Sequence, residues 1–113
     1  MDKLLKNVEP AESFSVKDKV EYEEGKVVSL TLAQQPGVSM TLFALDEGES
    51  IGGHAALGDA FVLILDGEAK ITIDGKTHTV TAGNVIVMPA GVQHALKAEK
   101  RFKMMLTVVK KAQ

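Results

Sequence analysis

From Lys26 onward the chain runs with a period of two. Val28, Leu30 and Leu32 alternate with Ser29 and Thr31, and Val38, Met40, Leu42 and Ala44 alternate with Ser39, Thr41 and Phe43. Ala69, Ile71 and Ile73 alternate with Lys70 and Thr72. Residues two apart on a strand share a face, so each segment offers one face to a core. Turn signals separate the segments at Pro36-Gly37, Asp66-Gly67, Asp74-Gly75 and Ala82-Gly83-Asn84. Further strands are predicted near Thr77–Thr81 and at Val85–Met88, His94–Ala98 and Phe102–Val109. About nine or ten short strands, with turns every 8 to 12 residues or so, predict an all-β sandwich or barrel.

One segment breaks the alternation. Phe61-Val62-Leu63-Ile64-Leu65 is apolar at every position. A strand of that kind is covered on both faces, inside a sandwich or by a second subunit. With Leu4-Leu5 in the N-terminal arm, it predicts a homodimer. Residues 1–25 are read as an arm that packs on the barrel or on the dimer partner, and 26–113 as the barrel itself. Within the arm, Ser15 with Asp18 three residues on resembles a capping box. It predicts one short helical turn or two over Ser15–Tyr22, ended by Gly25. The polar tail Lys110–Gln113 is expected to fray.

Composition narrows the function classes. A chain of 113 residues suits one domain. The 13 basic and 15 acidic residues give a formal net charge of −2, so no basic surface points to nucleic acid. One Tyr and four Phe are too few for a base-stacking platform. The chain has no Cys, which removes disulfides, thiolate metal sites and cysteine nucleophiles. MDKLLKNVEP lacks the apolar core of a secretory signal, and no apolar run reaches membrane-spanning length. A soluble, cytoplasmic location without membrane partners is the expectation.

Two stretches carry more than strand pattern. The first runs from Gly48 through His54, Ala56, Asp59 and Ala60 to Gly67, and the second from Gly83 through Pro89, Gly91 and His94 to Ala98. They resemble the two signature motifs of the cupin superfamily. The first family motif is a Gly, five residues, His-x-His, three or four residues, Glu, six residues, Gly. The second is a Gly, five residues, Pro-x-Gly, two residues, His, three residues, Asn. Gly48, His54, Gly67, Gly83, Pro89, Gly91 and His94 fall in register. The resemblance implies a cupin-type double-stranded β-helix, a jelly-roll barrel. In metal-binding cupins the two His and the Glu of the first motif, with the His of the second, hold one divalent metal. Here Ala56 stands at the second His position, Ala60 at the Glu position and Ala98 at the Asn position.

Two imidazoles are too few to hold a metal tightly. The expected role for His54 and His94 is therefore to anchor a small molecule in an apolar barrel pocket. A weakly held divalent ion (Zn, Mn, Fe or Ni) on His54 and His94 is a second expectation, and with it a metal-dependent oxygenase, isomerase or decarboxylase. A packed barrel with no ligand is a third. Asp59, one position before the family Glu, joins the pocket only if Leu57-Gly58 turns it inward; otherwise it caps a turn or faces solvent. His78 shares a face with Val80. Met40, Met88, Met104 and Met105 read as core filling.

Overall fold

The computed structural model describes residues 4–55 and 57–112. Eight strands follow one 3-10 turn at Val16–Lys19: β1 Val27–Gln35, β2 Val38–Leu45, β3 Ser50–Ala55, β4 Asp59–Ile73, β5 Lys76–Thr81, β6 Val85–Met88, β7 Gln93–Lys97 and β8 Phe102–Val109. All pairings are antiparallel. One sheet has the order β1-β2-β8-β4-β6, the other β5-β4-β7-β3, and β4 belongs to both. This is the all-β, jelly-roll barrel that the alternation and the two motifs predict. Among the described residues no helix is long and apolar enough to cross a membrane.

The pattern predicts a turn at Asp66-Gly67, and here the structure differs. β4 runs through the dipeptide for 15 residues without reversing. A register shift between Ile64 and Asp66 bends it instead, so that residues 59–67 pair with β8 and residues 68–73 with β5. Gly67 makes the bend possible. Its φ is +77°, and a Cβ there would lie 2.3 Å from the Arg101 carbonyl oxygen. Two predicted strands are thus one strand with a corner. By contrast, Asp74-Gly75 does reverse the chain, with Asp74 at φ 48°.

The main core lies between the sheets. Val62, Ile64, Ile71, Leu96, Phe102 and Met104 are buried there, with Ile51, Ile73, Leu106 and Val108 packed against them. The methionines fill space, Met88 and Met104 in this core and Met40 and Met105 outside it. A second apolar cluster sits on the outer face of the first sheet, where Leu32, Leu42 and Ala44 pack under Val8, Val16 and Val20 of the N-terminal segment.

That segment is fastened at several points. The Lys6 N–H donates to the Leu32 carbonyl at 2.7 Å, and the Asn7 amide donates to Thr31. The Lys103 ammonium donates to the Lys17 carbonyl at 2.8 Å. The Tyr22 hydroxyl donates to Asp66 at 2.6 Å, and the Arg101 guanidinium and Lys103 ammonium lie 4.5 and 5.1 Å from the Tyr22 ring centre. The expected capping box is not made: Ser15 precedes the 3-10 turn with no side-chain hydrogen bond, and only its carbonyl accepts, from Asp18 N–H.

Two predictions follow from the corner and its fastening. Gly67→Ala is expected to cost at least about 3 kcal/mol, because a positive φ and a clash with backbone add together. Gly75→Ala also has positive φ but meets nothing within 4 Å, so it should cost only about 1–2 kcal/mol. Urea unfolding of both variants checks the difference, and equal costs would contradict the corner.

Burial, and then the hydrogen bond to Asp66 and its charge, push the Tyr22 phenol well above its ordinary pKa of 10.0. A raised folded value means that the native state keeps a proton the unfolded chain releases. The contribution of the phenol is therefore complete below pH 10 and is lost as pH rises beyond it. Tyr22 is the sole tyrosine, so phenolate absorbance reports it alone. Its titration should begin above the range of a free phenol, and Tyr22→Phe should flatten the alkaline fall in stability. A normal phenol titration would refute the contact.

Candidate functional site

The two signature histidines meet through the β3–β7 ladder. Ile51 pairs with Leu96 and Gly52 with Ala95, and after a register shift His54 pairs with His94. Gly53 is the extra residue. Had Gly53 instead paired regularly with His94, His54 would stand opposite Gln93, one position out of step. The close approach of the strands also demands glycine at position 52: φ is +140°, and a Cβ would lie 2.4 Å from the Ala95 Cα. Two adjacent glycines inside a strand pattern were the available sequence signal for this bulge.

His94 is buried at 6% exposure. Its Nδ1 lies 3.1 Å from the Val92 carbonyl. A carbonyl only accepts, so in this contact Nδ1 is the donor. β4 adds Ile73, which pairs with His94 on the side away from His54. The row across the second sheet therefore runs Ile73, His94, His54. Leu96 and Ile71 form the next inward row, both buried in the main core.

The inward position one turn of the motif away is apolar. Ala60 is 2% exposed and lies in the main core with Val62, Met88 and Leu96. It pairs with Met88 on one side and Val108 on the other. Ala98, at the second motif's final position, is fully buried in the same core. Ala56 lies outside the described residues.

Asp59 has a different task. It is exposed, and its carboxylate accepts the Ala90 N–H at 2.9 Å. The Pro89-Ala90-Gly91 loop delivers His94 into β7, so this bond buckles the delivering loop to the first residue of β4. His78 is half-buried and pairs with Ile71 two strands away from β3. A cleft of about 250 Å³ is lined by Thr72, Asp74, Gly75, Gln93, His94 and Ala95. Thr72, Gln93 and Ala95 alternate with the inward Ile71, His94 and Leu96, so this cleft lies on the outer face, behind the histidine.

At the first motif's carboxylate position stands the buried methyl of Ala60, and the nearby Asp59 carboxylate accepts the Ala90 N–H. A tetrahedral or octahedral ion needs more protein donors than one histidine pair supplies.

Comparison with known proteins agrees with this architecture. The conserved SPY1581 protein of unknown function from Streptococcus pyogenes superposes with a TM-score of 0.95 at 43% identity, covering 99% of this chain and 98% of that one. A cupin superfamily protein from Desulfitobacterium hafniense superposes with a TM-score of 0.89 at 34% identity, covering 95% and 98%. The uncharacterized protein SCO3923 of Streptomyces coelicolor is 32% identical over 65 residues, which are 58% of this chain and 62% of that protein's length. A family model described as a cupin domain matches residues 41–110, more than half of the chain. With the motif glycines at its corners and the histidine pair in its second sheet, the chain belongs to the cupin family.

Proposed function

We propose that the barrel end at His54 and His94 is a small-molecule binding site that works without a resident metal. The observation that carries this reading is the register of β3 on β7, which pairs position 54 with position 94 next to the apolar row of Ile51, Leu96 and Ile71. A mostly apolar wall with a few convergent polar groups is the usual make-up of a ligand site. An imidazole has two nitrogens able to hydrogen-bond, so histidine at this place in the sheet can orient a polar group on a ligand whose body lies against the half-buried Ile73.

His54→Ala and His94→Ala are both expected to stay folded at room temperature. A thermal-shift panel of small organic acids and neutral aromatic compounds is the test. Compounds that raise the melting temperature of the wild type should lose that effect in both variants. Stabilisation that survives both changes would move the binding site elsewhere. A loss of fold in either variant would make the histidines structural.

The inward placement of Ala60 gives a second test. Ala60→Glu adds a carboxylate to the histidine pair and completes a two-His, one-carboxylate set. Affinity for Mn²⁺ or Zn²⁺ should rise at least tenfold over the wild type by calorimetric titration. The metal should also restore melting temperature lost by burying the larger side chain. Equal affinity in a folded variant would mean that residue 60 and the histidines do not share a site.

A further inference from the structure

The last strand carries a cation past the rim of the barrel. Val108 packs against the main core from β8, and residues two apart on a strand share a face. Lys110 therefore continues the inward row of Val108 beyond the end of the strand. Gly58, between β3 and β4, holds the two in line. A Cβ on Gly58 would lie 2.9 Å from both Val108 Cγ1 and Lys110 Cβ, and 2.5 Å from the Val109 carbonyl oxygen. The sequence pattern expects the tail from Lys110 to fray. Instead the Lys110 N–H donates to the Gly37 carbonyl at 3.0 Å, which extends the pairing of β8 with the β1–β2 hairpin past Val109.

Two open clefts meet along Lys110 and Lys111. One, of about 480 Å³, is completed by Pro36 and Leu57. The other, of about 420 Å³, reaches from Leu57 past Asp59 to Ala90 and Val109. Leu57 is 88% exposed and Val109 56%, so bare apolar surface stands beside two ammonium groups. The carboxylate in this lining, Asp59, accepts the Ala90 N–H. Among the described residues no ion pair joins either lysine. The lining thus holds two cations to one anion, in a chain whose formal net charge is −2.

These clefts lie at the barrel end that carries the candidate site. Asp59 opens β4 next to the inward Ala60, and Ala90 sits in the loop that delivers His94 into β7. We propose that Lys110 and Lys111 form an anion subsite, so that the molecule bound at this end is a small organic acid. Its carboxylate meets the two ammonium groups and its apolar body lies along Leu57 and Val109. This inference rests on the reading of the barrel end as a ligand site and adds the charge of the ligand. The chemistry favours an anion over a neutral molecule of the same shape. Ammonium donors make charge-assisted hydrogen bonds to a carboxylate, and a cleft with an excess of one sign attracts the other from solution. The apolar neighbours select against bare inorganic anions, which have no body to place there.

The test is titration of the full chain with benzoate, and with benzamide as its uncharged counterpart, followed by amide proton–nitrogen correlation spectra. Benzoate should bind saturably and move the signals of Leu57, Asp59, Ala90, Lys110 and Lys111. It should bind at least about tenfold more tightly than benzamide. Lys110→Gln with Lys111→Gln should erase that preference by weakening benzoate alone, and both positions are exposed, so the fold should not depend on their charge. His94→Ala, titrated alongside, separates the two readings. A preference lost in the lysine variant but undiminished affinity in His94→Ala supports the anion subsite and removes the histidine from the ligand site. A preference kept in the lysine variant overturns the subsite, even if His94→Ala weakens both compounds and so leaves the histidine reading standing. Equal affinities in the wild type, or no saturable benzoate binding, overturn it without any variant.

Discussion

The fold depends on one bend in one strand. β4 serves both sheets because its backbone turns a corner at Asp66-Gly67 without losing its hydrogen-bond partners. Gly67 can take φ +77° and can bring the chain against the Arg101 carbonyl, where a methyl has no room. Around that corner the structure adds other ties. The Ala82 N–H donates to the Gly67 carbonyl and the Gly83 N–H to the Ile64 carbonyl. Tyr22 donates to Asp66 from the outer side, with Arg101 over its ring. One dipeptide therefore closes the barrel, positions the β5–β6 turn and anchors the N-terminal segment.

Much of this was legible in the sequence, and the exception is instructive. Alternation gave the strand faces correctly: Ile71 and Ile73 turn toward the core while Lys70 and Thr72 face outward, where the Lys70 ammonium donates to Thr79 and the Thr72 and Thr77 hydroxyls bond each other. Asp74-Gly75 turned as its type predicts. Asp66-Gly67 has the same composition and does not turn, because a dipeptide tolerant of positive φ suits both a hairpin and a corner. Which one forms depends on the partners across the ladder. Here β8 on one side of the bend and β5 and β7 on the other hold β4 straight through it, and these contacts are far apart in sequence.

The N-terminal segment shows a related limit. Ser15 and Asp18 have the composition of a helix cap, yet only four residues form a 3-10 turn. Local signals are overruled there by tertiary fastening. Val20 is buried on the sheet, and Lys103 takes the Lys17 carbonyl that a longer helix would have needed. Such contacts span more than eighty residues of chain and leave no periodic trace. The same holds for Asp59. Its bond to Ala90 links the two motifs across the barrel end, and its position beside the family carboxylate does not reveal that.

Scaffold and chemistry separate cleanly in the two motifs, which is why the fold could be read with assurance and the activity could not. Gly67 must be glycine because a Cβ collides with backbone, whatever the barrel binds. Gly52 is bound by the same requirement, and by admitting the Gly53 bulge it sets His54 opposite His94. The inward positions carry no such demand. A barrel wall accepts a carboxylate or a methyl at residue 60 provided its neighbours are suited to it. Here those neighbours, Met88, Val62 and Val108, are apolar. Burying a charged carboxylate among them would be costly unless an ion neutralised it. Ala60 removes that cost and the ligand together. The interior is then coherent as a low-polarity wall, with His94 held to the Val92 carbonyl at its margin; under the proposed function, selectivity comes from the shape and hydrogen bonding of the molecule bound there.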